Sequence, residues 1–266
     1  METNMFDTKT AASFAALSMV FLCTSGNAFA QTQPGSTFQV TVRSETANKT
    51  SEPPLVFKAS VSGKNGRVDV IRGDKQYKTG DYLLTSDGGE TFWVVSVKKK
   101  EAMRFTPEKL HKEVGKEKFN LSDISLPPPA ASGQRESVAG ESAESYRSFR
   151  KYTISGRELI WTFRVEIEED WNFSLATNRA AMPPFNPVVS FFAMTGSAVL
   201  FKDVTYAASG YKAAVPPGMP LKAVAVVTTE KKKREVETTT LQSDAPVAAA
   251  IEATQFAIPD GVKRKE

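Results

Sequence analysis

Apolar and polar residues alternate with a period of two along most of this chain. The clearest case is Leu159–Ile167, where Leu159, Trp161, Phe163, Val165 and Ile167 interleave with Ile160, Thr162, Arg164 and Glu166. Successive side chains of a strand point to opposite faces, so this pattern predicts a half-buried strand. Phe38, Val40 and Val42 alternate in the same way within Ser36–Arg43, as do Leu55, Phe57, Ala59 and Val61. Further strands are expected at Arg67–Arg72, Asp81–Thr85, Thr91–Val97, Glu101–Phe105, Arg147–Ile154, Trp171–Ala176, Leu221–Thr229, Glu235–Leu241 and from Val247. Turn chemistry separates them. Asn-Gly within Gly63–Gly66 is read as the source of positive φ, Ser86–Gly89 and Ser155-Gly156 as tight turns, and Pro216–Pro220 as a rigid one.

Two stretches break the alternation toward helix. Thr106, Pro107 and Glu108 have the chemistry of a helix start, leading into PEKLHKEV. Asn186-Pro187 opens an apolar run, Val188–Met194, that continues past Gly196 toward Ala208 and carries Phe191, Phe192, Val199, Leu200 and Phe201. A helix apolar on nearly every side is buried or covers a sheet. Pro127–Ser145 lacks aromatic residues and is rich in Pro, Ser, Gly and Ala, the composition of a disordered insert. About ten strands and few helices predict an antiparallel α+β fold, with residues 31–126 and 146–266 as two halves of one β-rich domain around the insert.

The N-terminus changes the picture from fold to location. Ala11–Cys23 is apolar but shorter than the about 20 residues of a membrane span. Ala28-Phe29-Ala30 places small residues where signal peptidase reads them, so residues 1–30 are expected to be a signal peptide, cleaved after Ala30 to give a periplasmic protein. The flank departs from pattern, since Glu2 and Asp7 outweigh Lys9. The single cysteine, Cys23, lies inside this segment after Leu22, without the small residue a lipidation site requires. From Gln31 onward there is no disulfide, no thiol nucleophile and no cysteine metal site to build. A formal net charge of +4 spread over many acids and bases describes a mildly basic surface with no dense nucleic-acid-binding face.

Candidate chemistry is sparse. His111, the one histidine, sits among Lys and Glu. No serine-hydrolase elbow, zinc-binding His pair or phosphate-binding glycine loop occurs. Arg72-Gly73-Asp74 reads as a polar turn. Glu166, Glu168, Glu169 and Asp170 cluster, but without a His partner or a calcium-loop spacing they read as a solvated strand end. Lys98–Lys100 and Lys231–Arg234 read as charged hairpin tips. The expectation is a protein with no catalytic residues, no cofactor and no metal site.

Three segments together resemble a known group. They are Gly66–Arg104, with GRVDV, TGDYLLTSDGGETFWVV and KKKEAMRF; EEDWNFSLA at Glu168–Ala176; and GMPLKAVAVVTT, ETTTLQ and ATQFAIPDGVK toward the end. The pattern resembles exported bacterial domains of the LolA-like and DUF4412-like type, in which the last segment closes in Phe-x-Ile-Pro-x-Gly-Tyr; Val262 stands here in place of the Tyr. The resemblance implies a strongly curved antiparallel sheet, an open half-barrel, with helices covering its concave face. It also implies that lipid or lipoprotein acyl chains lie between sheet and helices. The aromatic content, 17 Phe and 3 Trp, suits such an apolar space and equally suits a filled core. On this reading the ligand-lining residues are Trp93, Val95, Trp161, Phe163, Phe191 and Phe192, and the protein is a non-enzymatic periplasmic lipid-binding protein. The second reading is an envelope sensor whose basic tips contact a membrane-anchored protein partner or, peripherally, the membrane.

Overall fold

The computed structural model describes residues 32–46, 53–106, 119–125, 127–158, 161–198, 215–230 and 234–265. The strands are β1 (Thr32–Thr46), β2 (Leu55–Ser62), β3 (Asn65–Arg72), β4 (Tyr82–Thr85), β5 (Phe92–Ser96), β6 (Glu101–Phe105), β7 (Phe119–Ser125), β8 (Ala130–Val138), β9 (Glu141–Glu158), β10 (Trp161–Ala176), β11 (Pro220–Glu230), β12 (Arg234–Ser243), β13 (Val247–Glu252) and β14 (Lys263–Lys265). Among the described residues there is one α-helix, α1 (Pro187–Ala198), and one 3-10 turn, Ala253–Phe256.

All the strands join one 14-stranded sheet, in the order β14-β6-β5-β4-β3-β2-β1-β12-β11-β10-β9-β7, with β13 paired to β1 and β8 to β9. Every pairing is antiparallel except that of β14 with β6. Among the described residues the sheet does not close: β14 and β7 end the path and do not pair with each other.

This overturns the α+β expectation and the half-barrel with helices over its concave face. The described residues are mostly strand, in an open sheet. Three local choices account for the difference. β9 does not turn at Ser155-Gly156 but runs through it for 18 residues, and its register with β10 ends at Glu158↔Trp161. Pro127–Ser145 is no disordered insert: β8 forms a hairpin with β9 through Ala139-Gly140, both at positive φ (53° and 84°). That is the two-residue loop whose twist suits paired strands, made here with Ala where Asn or Asp is usual. The apolar run after Asn186 is helical through Ala198, and its expected continuation toward Ala208 lies outside the described residues. The expected helix at PEKLHKEV, with His111, and the segment of residues 1–31 lie outside them too.

The β2–β3 hairpin forms where expected, by a different residue. Ser62 pairs with Asn65, so Gly63-Lys64 is the loop and Gly63 supplies the positive φ of 56°, while Asn65-Gly66 belong to β3.

The alternation read from sequence sorts the side chains onto two faces. One face gathers Phe38, Val40 and Val42 of β1, Phe57 and Ala59 of β2, Val68 and Val70 of β3, Leu83 of β4, Phe92 of β5, Trp171 and Phe173 of β10, Ala223 and Ala225 of β11 and Leu241 of β12 into the main core with α1. The other face carries a smaller cluster, Tyr82, Leu84, Val95 and Ala102, with Trp93, Ile258 and Val262 packed against it.

Candidate functional site

The site is built around the start of α1. Asn186 precedes the helix and its Oδ1 accepts the backbone N–H groups of Val188 (3.1 Å) and Val189 (3.3 Å). These are orphan donors of a helix N-terminus, and Pro187 follows where a missing N–H costs nothing. The Asn186 Nδ2 donates to the Pro220 carbonyl (2.9 Å) and to Ser243 Oγ (2.8 Å). One buried amide therefore ties the helix to β11 and to the end of β12.

The turn between β4 and β5 lies against this helix start. The Asp87 carboxylate organises it, accepting from Thr85 Oγ1 (2.8 Å), Thr91 Oγ1 (2.7 Å) and the N–H groups of Glu90 (2.9 Å) and Thr91 (3.0 Å). Burial pushes the Asp87 pKa up, and the hydrogen bonds from Thr91, Thr85 and Glu90 outweigh it and hold the carboxyl below its ordinary value. Gly89, at φ 91°, comes so close to the helix that a Cβ there would lie 2.8 Å from Ser190 Cβ.

Between this turn, the helix start and the Pro-rich turn before β11 lies an open cavity of about 350 Å³. Gly88–Glu90, Pro184, Phe185, Ser190 and Val215–Gly218 line it. Its volume is within the range of small-molecule sites, about 300–1,000 Å³. Glu90 is the one ionisable side chain in that lining among the described residues.

One residue further along α1 begins an aromatic cluster. Phe191 meets Phe92 edge-on with ring centroids 5.3 Å apart, and also Tyr77 (6.3 Å) and Phe105 (6.4 Å). Phe192 meets Phe57 (5.9 Å) and Tyr77 (5.7 Å). Burial, with the Asp74 carboxylate adding to it, pushes the Tyr77 hydroxyl up to about 12.

The residues expected to line one apolar space divide. Phe191 and Phe192 sit together under the helix. Trp93 and Val95 alternate with Phe92 and Val94 on β5 and so join the cluster on the opposite face. Trp93 lines a separate cleft there, of about 220 Å³, with Leu84, Phe256, Ile258 and Arg264. Trp161 and Phe163 lie at the start of β10, where backbone pairing with β9 is described.

On the core face of β9 and β10 the sequence reading missed a polar group. Glu169 does not lie at a solvated strand end: it is buried opposite Arg150. Its carboxylate accepts from Tyr152 O–H (2.7 Å) and Trp171 Nε1–H (2.9 Å), with Arg150 Nη1 at 3.5 Å. The Arg150 guanidinium lies 5.8 Å from the Trp171 ring centroid, a cation–π distance. Burial lowers the Arg150 pKa and, with the Glu169 charge, raises that of Tyr152. The neighbouring carboxylates do face outward, Asp170 in a two-point bond with Arg147 (2.8 and 2.6 Å) and Glu168 bound by Lys151 (2.8 Å). The signal for Glu169 was present: the odd-numbered apolar series Val165, Ile167, Trp171, Phe173, Leu175 passes through it.

Among the described residues no group of three or more His, Cys, Asp or Glu side chains is placed to hold a metal ion. No helix among them is long and apolar enough to cross a membrane.

No protein-family model matches the chain, and no curated protein sequence matches it. Among solved structures, the chain is similar to a LolA superfamily protein from Nitrosomonas europaea, with a TM-score of 0.33 and 10% sequence identity over 84% of this chain and 90% of that one.

Proposed function

We propose that the protein is a non-enzymatic binding protein of the cell envelope that holds an apolar, acyl-type ligand at the start of α1. The observation that carries this reading is the open cavity at the Phe185–Ser190 helix start, one residue before the aromatic pair Phe191 and Phe192 on α1. Its walls supply Phe185, Val215 and three prolines, and a single carboxylate, Glu90. Such a wall removes hydrocarbon from water, worth about 0.8 kcal/mol per CH₂.

The export pattern at Ala11–Ala30 supports a periplasmic location, where lipids and lipoproteins are handled. Of the expected ligand residues, Phe191 and Phe192 follow the cavity-lining Ser190 on α1 without lining the cavity themselves, while Trp93 and Val95 lie on the opposite face of the sheet.

Native mass spectrometry of the purified protein tests the reading. The expected spectrum contains adducts of lipid mass that disappear on delipidation and return with added fatty acid. A spectrum of bare protein that fatty acid leaves unchanged would overturn it.

A further inference from the structure

The sheet's first edge brings together two basic segments that are far apart in sequence. Lys98–Lys100 form the tip of the β5–β6 hairpin, and Lys263–Lys265 are strand β14, near the end of the chain. The Lys263 N–H donates to the Lys100 carbonyl at 2.9 Å, and β14 then runs parallel to β6 with Lys263 opposite Glu101 and Lys265 opposite Met103. Arg104 lies on β6 itself. The corner thus carries Lys98–Lys100 at the tip and Lys263 and Lys265 on the Met103 face, with Arg104 and Arg264 on the other face, against two carboxylates: Glu101, which Lys265 Nζ occupies at 2.7 Å, and Asp81, which accepts the Val97 N–H at 3.0 Å. Glu266 follows in sequence and lies outside the described residues.

One further feature separates this corner from an ordinary solvated turn. Val97 is 55% exposed and Met103 43% exposed, so large apolar side chains stand among the cations. Lys100 holds φ at 52°, a left-handed conformation that Gly or Asn adopts at less cost. Lysines on an edge strand also discourage edge-to-edge pairing, a role open to Lys263, Lys265 and Lys100, whose carbonyl pairs with β14, but not to Lys98 and Lys99 at the hairpin tip.

We infer that this corner is a docking surface for an anionic lipid bilayer: the lysines meet acidic headgroups while Val97 and Met103 enter the interface. Interleaved cations and exposed apolar side chains are the chemistry of interfacial membrane binding. A purely acidic protein surface would satisfy the charges and leave Val97 and Met103 in water. The inference does not depend on the cavity at α1, which involves neither segment.

Vesicle sedimentation of the full chain tests it, with residues 1–30 present in every variant so that their apolar run contributes equally. The vesicles are phosphatidylcholine alone, and equal parts phosphatidylcholine and phosphatidylglycerol. The protein should bind the anionic vesicles more tightly than the neutral ones, and the excess should vanish in about 1 M salt, where the Debye length is about 3 Å. The variant Lys98→Gln, Lys99→Gln, Lys100→Asn should bind about tenfold more weakly or worse. Because Asn suits the Lys100 conformation, its melting temperature should not fall. Val97→Ser with Met103→Ser should weaken binding at unchanged charge. Equal binding by wild type and the lysine variant, or equal binding to both vesicle types, would overturn the proposal. So would capture by a polyglutamate column without capture by anionic vesicles. Lipid adducts in native spectra report on the α1 cavity and are independent of these outcomes.

Discussion

Tyr152 and Glu169 stand on adjacent strands, β9 and β10, and are joined by a buried 2.7 Å hydrogen bond in which the tyrosine hydroxyl donates. Trp171 Nε1–H donates to the same carboxylate, and Arg150 supplies the positive charge. A carboxylate withdrawn from water persists only when such partners replace its hydration. Removing one member leaves the others exposed to the full cost of burial. Glu169→Leu alone should therefore lower stability by about 3–5 kcal/mol, read from urea unfolding. Arg150→Met combined with Glu169→Leu should recover most of that loss. A double variant as unstable as the sum of the singles would show that the pair is not the unit that matters.

The approach of Gly89 to Ser190 sets how closely the β4–β5 turn seats on α1. A Cβ at Gly89 would meet Ser190 Cβ at 2.8 Å and would also have to adopt φ 91°. Gly89→Ala should cost about 2–3 kcal/mol, with strain and displacement contributing together. Gly80 also has positive φ (90°) but nothing within 4 Å of its Cβ position. Gly80→Ala should cost less, and the difference between the two melting temperatures measures the close contact alone. Equal losses would contradict the packing described.

Asn186 separates capping from tethering. Asn186→Asp keeps an acceptor for the Val188 and Val189 N–H groups but loses both donations to β11 and β12. Asn186→Ala loses all of them. The alanine variant should be the less stable by about 1 kcal/mol, the ordinary value of an N-cap. If aspartate is as damaging as alanine, the tether to Pro220 and Ser243 dominates and the cap contributes little.

The sheet was legible from the sequence because its strands alternate, and alternation is a property of neighbours. Phe38, Val40 and Val42 announce β1, and Phe92 with Trp93 announces opposite faces of β5. What alternation cannot reveal is which strand lies beside which. The parallel placement of Lys263–Lys265 on β6 joins residues more than half the chain apart, and no local pattern encodes it. Glu169 escaped for another reason. Its charge invites a surface assignment, and only the partners Arg150, Tyr152 and Trp171, gathered by the β9–β10 register, make burial affordable. The β8 strand was missed because its composition is that of a loop and because Ala139 occupies the turn position normally marked by Asn or Asp. Of the cavity, Asn186-Pro187 and the Pro216–Pro220 turn were readable, but their meeting with the Gly88–Glu90 turn was not.

Two titrations bound the pH range of the helix seat. The Asp87 carboxyl lies below its ordinary value in the folded protein, so it stabilises above the unfolded pKa and that contribution is lost as pH falls below about 4. The Tyr77 hydroxyl is pushed up to about 12, so its contribution is complete below about 10 and lost as pH rises from there toward 12. Tyr77→Phe should make the alkaline limb of the stability profile shallower, with buried Tyr152 still contributing to it, without altering the acid limb, and Asp87→Asn should do the reverse. Thermal denaturation across pH reads both. An alkaline limb unchanged in Tyr77→Phe would place its cause elsewhere.

On the proposed function, the cavity at the start of α1 takes an apolar chain. The most direct measurement is titration of a fluorescent fatty acid into the wild-type protein and into Val215→Trp, in which an indole fills the cavity mouth beside Phe185 and Pro216. The wild type should show saturable binding with blue-shifted emission, and the variant, at an unchanged melting temperature, should bind at least about tenfold more weakly. Equal, saturable binding by the two proteins, or no binding by the wild type, would contradict the account.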